Sequence, residues 1–167
     1  NNNQQAAANN KQAANNNQHP LSGKTFHIKN TYGGSGHEWY GALLSWDGAN
    51  PHPMATVEKN DPVKWKFEAV PGKANTYKIV NTYPGQWNGA SISWDNRNPH
   101  PMISVEHNDP VEWRMDAVSG KANHYKIVNT YAGKWQGASI SWDSDTSYPK
   151  ASLEFNDPVE WELVPVK

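Results

Sequence analysis

The sequence predicts an all-β domain of twelve short strands, set out as three units of four. Three observations carry that prediction. The nine tryptophans fall on a 48-residue period: Trp39, Trp87 and Trp135; Trp46, Trp94 and Trp142; Trp65, Trp113 and Trp161. Between them, apolar and polar residues alternate over four to eight positions, the mark of strands with one covered face. Gly, Pro, Asn and Asp interrupt the alternation at matching places in each unit, where the chain must turn. Units of this size cannot bury an apolar face alone, so the three must share one core.

Taken in order, residues 1–20 use little beyond Asn, Gln, Ala and Lys and show no apolar periodicity. Such a composition cannot offset the entropy of ordering and reads as a low-complexity tail or linker. The β domain spans residues 21–167, with units at about 25–75, 76–123 and 124–167. In the second unit the first strand sets Tyr77 and Ile79 against Lys78 and Val80. The second sets Ala90, Ile92 and Trp94 against Ser91 and Ser93. Ile103 and Val105 oppose Ser104 and Glu106 in the third, and Val111, Trp113, Met115 and Ala117 oppose Glu112, Arg114 and Asp116 in the fourth.

The separators carry turn chemistry. Pro84-Gly85 and Ala132-Gly133 follow the first strand, while the first unit has Gly33-Gly34-Ser35-Gly36 and three extra residues there. Asn50-Pro51-His52-Pro53 and Asn98-Pro99-His100-Pro101 join second strands to third, and Asn-Asp-Pro joins third to fourth. Proline suits such turns because its ring fixes φ in the range they require. Pro71 to Asn75 and Ser119 to Asn123 lead from one unit to the next.

Three four-stranded units, each closing on a tryptophan, resemble the β-trefoil from Thr25 to Lys167. Within that fold the chain is most similar to ricin-B-type and related fungal lectins, whose units open on a strand like Tyr-Lys-Ile-Val-Asn. Here that strand stands at Tyr77 to Asn81 and Tyr125 to Asn129, with Phe-His-Ile-Lys-Asn at Phe26 to Asn30. The fourth strand of the family carries Gln-x-Trp. Trp65, Trp113 and Trp161 retain the Trp, but Val63, Val111 and Val159 stand where Gln would be, so the contacts of that Gln do not transfer. The resemblance implies a carbohydrate-binding lectin with up to three pseudo-equivalent sites, glycans or glycoproteins as partners, and room for a homodimer. Its rival is a trefoil protease inhibitor or another protein-binding trefoil. An inhibitor uses one loop against one cleft, whereas the loops here stay alike between units, which favours a ligand met three times.

Composition narrows the rest. A formal net charge of −1 gives no electrostatic footprint for nucleic acid. No apolar run approaches the roughly 18 to 20 residues that span a bilayer, so membrane insertion is not expected. Without a secretory leader at the start and without cysteine, the expected location is cytoplasmic or non-classically secreted. The acidic residues recur with the repeat or lie outward, as Glu58, Glu106 and Glu154 do, and no nucleophile elbow, Cys–His pair or phosphate loop is present. Neither enzyme activity nor a cofactor is expected.

The tryptophans sort into three classes. Trp65, Trp113 and Trp161 share the inward face of the fourth strand and belong to the core. Trp46, Trp94 and Trp142 end the second strand and read as core or core lid, with a site wall as the other reading. Trp39, Trp87 and Trp135 sit in polar, Gly-flanked loops with no evident packing partner, and we read them as sugar-stacking platforms. On that reading Trp87→Ala weakens glycan binding and spares stability. Asp47, Asp95 and Asp143 follow the second strand, where a carboxylate either caps a turn or accepts two hydroxyl protons. Asn30, Asn81 and Asn129 end the first strand, as turn formers or as sugar ligands. Asn60/Asp61, Asn108/Asp109 and Asn156/Asp157 precede Pro and read as turn formers. His52 and His100 complete the candidate sugar-binding set, the third unit having Ser147-Tyr148-Pro149-Lys150 instead. Two loop histidines a full repeat apart lack local ligand spacing, so no metal is expected at them.

Overall fold

A computed structural model describes residues 19–48, 52–59, 63–97, 100–107, 111–143, 149–155 and 159–166. Its elements are β1 (Thr25–Asn30), β2 (Leu43–Trp46), β3 (Ala55–Glu58), β4 (Trp65–Ala69), β5 (Thr76–Asn81), β6 (Ser91–Asp95), β7 (Met102–Glu106), β8 (Trp113–Ala117), β9 (His124–Asn129), β10 (Ser139–Asp143), β11 (Lys150–Glu154) and β12 (Trp161–Pro165). Among the described residues there is no helix, hence none long and apolar enough to cross a membrane. Residues 1–18 of the tail, the three Asn-Asp-Pro turns, residues 50–51 and 98–99 and the segment 144–148 lie outside the described residues.

Six strands close on themselves. β1 pairs with β4, β4 with β5, β5 with β8, β8 with β9, β9 with β12, and β12 returns to β1, all antiparallel. Closure leaves this barrel no free edge. The tryptophan opening each fourth strand faces the asparagine ending a first strand: Trp65 with Asn81, Trp113 with Asn129 and Trp161 with Asn30. The other six strands form hairpins β2–β3, β6–β7 and β10–β11. Each hairpin is tied to the barrel at one register point, Lys29 with Leu43, Val80 with Ser91 and Val128 with Ser139. Their second strands meet one another, β11 with β3 and with β7, and Met54 bridges to Ser104. The hairpins therefore cap one end of the barrel.

The fourth-strand tryptophans hold cap and barrel together. Trp65, Trp113 and Trp161 are fully buried, and their indole N–H groups donate to the carbonyls of Leu44, Ile92 and Ile140 at 2.9, 2.9 and 3.0 Å. Val63, Phe67, Val111, Met115, Val159 and Leu163 are buried with them, as the alternation requires. The hairpins differ from expectation. Alternation places Ser93 and Ser104 on open faces, yet they and their counterparts Ser45, Thr56, Ser141 and Ser152 are buried at 0–1% exposure. Period-two alternation assumes one wet face, and these strands lose theirs because the three hairpins converge over the barrel.

The links between units turn at Asn75 and Asn123, with φ of 55° and 63°, a region that asparagine tolerates better than most L-residues. Their carbonyls accept from the amides of Met115 and Leu163 at 2.8 and 2.9 Å, so each link also braces a later strand. At the other end, His19 and Pro20, assigned to the tail by composition, precede an anchored segment. His19 is buried, bonds through Nε2 to the carbonyl of Lys73 at 2.8 Å and sits edge-on to Tyr77. The Leu21 amide donates to the Tyr77 hydroxyl at 3.0 Å.

Candidate functional site

The site is organised by three asparagines that never reach solvent. Asn30, Asn81 and Asn129 are 0–1% exposed. Each Nδ2 donates to the carbonyl of its own loop tryptophan, Trp39, Trp87 or Trp135, at 2.8–3.0 Å. Each Oδ1 accepts twice. One donor is the amide two residues on, of Tyr32, Tyr83 or Tyr131, at 3.1 Å. The other is an indole N–H from another unit: Trp142 to Asn30 at 3.0 Å, Trp46 to Asn81 at 3.1 Å and Trp94 to Asn129 at 3.2 Å. With both Oδ1 lone pairs engaged, these side chains have no acceptor left for a sugar. They are buried braces that tie each loop to its tyrosine backbone and to an indole of another unit.

Those braces bring together groups that are distant in sequence. Trp94 packs against the core with the Tyr131 ring edge-on at 6.1 Å. The two rings, with Ser93, Asp95, Asn96, Glu106 and Val111, line a cleft of about 300 Å³. His52 enters from the preceding hairpin, its Nε2 3.3 Å from Asp95 Oδ2 and 3.9 Å from Glu106 Oε1. Arg97 also reaches Asp95 Oδ2, at 3.1 Å. The same residues recur around Trp142, where Tyr32 lies edge-on at 5.9 Å and His100 Nε2 stands 3.0 Å from Asp143 Oδ2 and 4.0 Å from Glu154 Oε2. His37, from the longer loop of the first unit, packs on both Trp142 and Tyr32. Around Trp46 the exposed ring is Tyr83, and the cation beside Asp47 is Lys150 at 3.9 Å. Asp47 Oδ1 also accepts from the amide of Met54 at 3.0 Å, which caps the turn after β2. Within all three clusters a buried serine hydroxyl, Ser45, Ser93 or Ser141, has no hydrogen-bond partner among the described residues.

The loop tryptophans do not stand free. Trp39, Trp87 and Trp135 are half-buried against the core. His107 stacks on Trp87 with centroids 5.3 Å apart and planes 15° apart, and Phe155 stacks on Trp135 at 5.4 Å and 15°. In the first unit Lys59 Nζ lies 5.0 Å from the centroid of Trp39. Positions 59, 107 and 155 thus supply the packing partner that the sequence did not reveal. The loop itself is drawn tight, Gly41, Gly89 and Gly137 adopting φ of 85°, 89° and 91° while their amides return to the carbonyls of Asn30, Asn81 and Asn129. A side chain at that φ is strained, so the glycine fixes where the loop tryptophan falls.

Sequence reasoning missed Tyr32, Tyr83 and Tyr131, which are 41, 44 and 49% exposed. The signal was present as Asn-Thr-Tyr, repeated at 30–32, 81–83 and 129–131. Alternation marks Glu106 and Glu154 only as outward-facing. They join the clusters because the hairpins bring in a histidine from the neighbouring unit.

No family model and no curated protein matches the chain. Solved structures do. The chain is similar to the double-headed arrowhead protease inhibitor A, seen in complex with two trypsins, at 8% identity over 86% of this chain and 90% of that one, with a TM-score of 0.66. It is similar to SeviL bound to asialo-GM1 saccharide, at 14% identity, 87% and 100% coverage and a TM-score of 0.56. Lysenin, in its pore form, matches at 12% identity and a TM-score of 0.62 over 88% of this chain, which spans about half (48%) of the lysenin chain. SeviL and the arrowhead inhibitor are β-trefoil proteins, and at these identities the likeness is one of fold: the chain is an all-β protein with the β-trefoil fold.

Proposed function

We propose that the protein is a carbohydrate-binding trefoil with up to three pseudo-equivalent sites, and that the sugar enters the Trp94–Tyr131 cleft and its two counterparts. The observation that carries this reading is the pairing of a half-buried indole with an exposed tyrosine above two carboxylates, Asp95 and Glu106, in a cleft of about 300 Å³. A pyranose presents apolar C–H faces and a belt of hydroxyls. Aromatic walls cover the first, and carboxylates accept from the second. SeviL, solved with a saccharide, lends support by fold. Single sites of this size bind at about 1 mM, and several glycans met together supply the avidity.

The loop indole of Trp87 is not the platform on this reading, since His107 already occupies one of its faces. The test is a glycan array with simple-sugar competitors, followed by titration of Tyr131→Ala. That ring is exposed, touches Trp94 edge-on and, among the described residues, is hydrogen-bonded only through its backbone amide, so the thermal midpoint should hold while affinity at that site falls about tenfold, the worth of one aromatic contact. Trp87→Ala should do the opposite, lowering stability and leaving affinity. The likeness to an inhibitor solved with trypsins favours a second reading, a protein-binding trefoil. Inhibition of trypsin without any glycan signal would establish it in place of the first.

A further inference from the structure

We propose that His52 with Asp95 and Glu106, and His100 with Asp143 and Glu154, are two binding sites for a zinc-like divalent transition-metal ion. In each trio one ligand atom per residue lies within 4.8 Å of the others. The shortest pairs, His52 Nε2 to Asp95 Oδ2 at 3.3 Å and His100 Nε2 to Asp143 Oδ2 at 3.0 Å, match the roughly 3.3 Å between donors around a tetrahedral ion with bonds of about 2.0 Å. One imidazole with two carboxylates is a borderline donor set that suits zinc rather than calcium or magnesium.

The ring orientation points the same way. Nδ1 of His52 and of His100 lies 3.4 Å from the carbonyl of the next proline, so an ion bound at Nε2 leaves Nδ1 to carry the proton and donate to that carbonyl. Nε2 then turns a lone pair toward two carboxylates, an arrangement that a cation between them satisfies. Serines hold the carboxylates: Ser104 Oγ donates at 2.6 Å to Glu106 Oε2, the oxygen away from His52, and Ser152 Oγ donates at 2.8 Å to Glu154 Oε2, the oxygen that faces His100. Ser93, fully buried and without a hydrogen-bond partner among the described residues, lines the same cleft as Asp95 and Glu106, a state that Ser45 shares in the third cluster. Its oxygen is free to accept from a metal-bound water. Ser141 repeats this state two residues before Asp143.

The third cluster is excluded by its own chemistry. Tyr148 stands one full repeat beyond His100, and the Lys150 ammonium already lies 3.9 Å from Asp47. The two sites also differ from each other. Arg97 lies 3.1 Å from Asp95, where its charge opposes a metal ion, so the His100 site is the tighter.

This inference does not rest on the glycan reading. Its test is calorimetric titration of the chelator-stripped, tag-free chain with Zn²⁺ in the absence of sugar, repeated with Co²⁺ to read tetrahedral coordination from the visible absorption. Two ions per chain are expected. His100→Ala should remove the tighter step, His52→Ala the weaker, and the double variant both, while His107→Ala leaves both. Ser152→Ala should weaken the tighter site roughly tenfold, as loss of a supporting hydrogen bond does. Should either histidine variant fail to fold by circular dichroism, Glu154→Gln and Glu106→Gln replace them, since the amide oxygen still accepts from serine. Absence of saturable binding, or binding that survives these substitutions, overturns the proposal and leaves the aromatic cleft untouched.

Discussion

Replacing Asn129 by alanine should unsettle two things at once, the fold and the cleft, although its side chain touches no solvent. The substitution deletes three hydrogen bonds, to the Trp135 carbonyl at 3.0 Å, from the Tyr131 amide at 3.1 Å and from the Trp94 indole at 3.2 Å. At roughly 0.5–1.5 kcal/mol each, and with the loop groups able to find water afterwards, the loss is about 2–4 kcal/mol. For a domain of this length that corresponds to a fall of about 5–15 °C in the thermal midpoint. Because Trp94 and Tyr131 are both anchored by the same Oδ1, affinity for the cleft ligand should fall as well. The assay is a double-mutant cycle, with denaturant midpoints for Asn129→Ala, Trp94→Phe and the pair. Trp94→Phe keeps a ring but removes the indole N–H. A coupling of about 0.5–1.5 kcal/mol is expected between residues sharing one bond. A thermal shift under about 2 °C for Asn129→Ala, or strict additivity in the cycle, would refute the view that this asparagine ties the units together.

Two further outcomes follow from the core. Trp113→Ala should cost about 3–5 kcal/mol in urea unfolding, because a fully buried indole leaves a cavity where barrel and cap meet. Tyr77 should make stability fall under alkaline conditions. Burial raises its pKa above the ordinary value of 10.0, outweighing the opposing bond from the Leu21 amide. The folded state therefore holds the phenolic proton more tightly than the unfolded one. The resulting stability is present in full below about pH 10 and is lost as pH climbs through the raised value. Tyr77→Phe, compared with wild type by denaturant midpoints across that range, should flatten the decline.

How much of this was legible in the sequence depends on how far each contact reaches. The strands were legible because alternation and turn residues are local, and β6 begins one residue past Ala90, where the alternation starts. The core tryptophans were legible because Val63 and Phe67 flank Trp65 in phase. The hairpin faces were misread because the three hairpins converge over the barrel, Met54 of the first unit bridging to Ser104, and no local pattern records that. The loop indole of Trp87 looked free because its partner, His107, comes two strands later, just beyond β7. Asn81 looked like a surface turn residue because the donor to its Oδ1, Trp46, belongs to the unit before. Spacing within one unit also argued against a metal at His52, whose carboxylate neighbours Asp95 and Glu106 lie in the next unit.

The cleft around Trp94 therefore has no owner among the units. His52 comes from the first, Trp94, Asp95 and Glu106 from the second, and Tyr131 from the third. A single unit carries every residue type the cleft needs but cannot place them together, since its own tyrosine serves a tryptophan elsewhere: Tyr83 packs on Trp46, and Tyr32 on Trp142. On the proposed reading, the binding surface forms only when the six barrel strands close and the three hairpins meet, which makes ligand affinity a reporter of closure. Conversely, any ligand seated between Tyr131 and His52 draws on all three units at once and favours the closed state by mass action. The asparagine braces make that exchange possible. Each commits one side chain to its own loop, its own tyrosine and a foreign indole, so the geometry of one cleft is set by the packing of its neighbours.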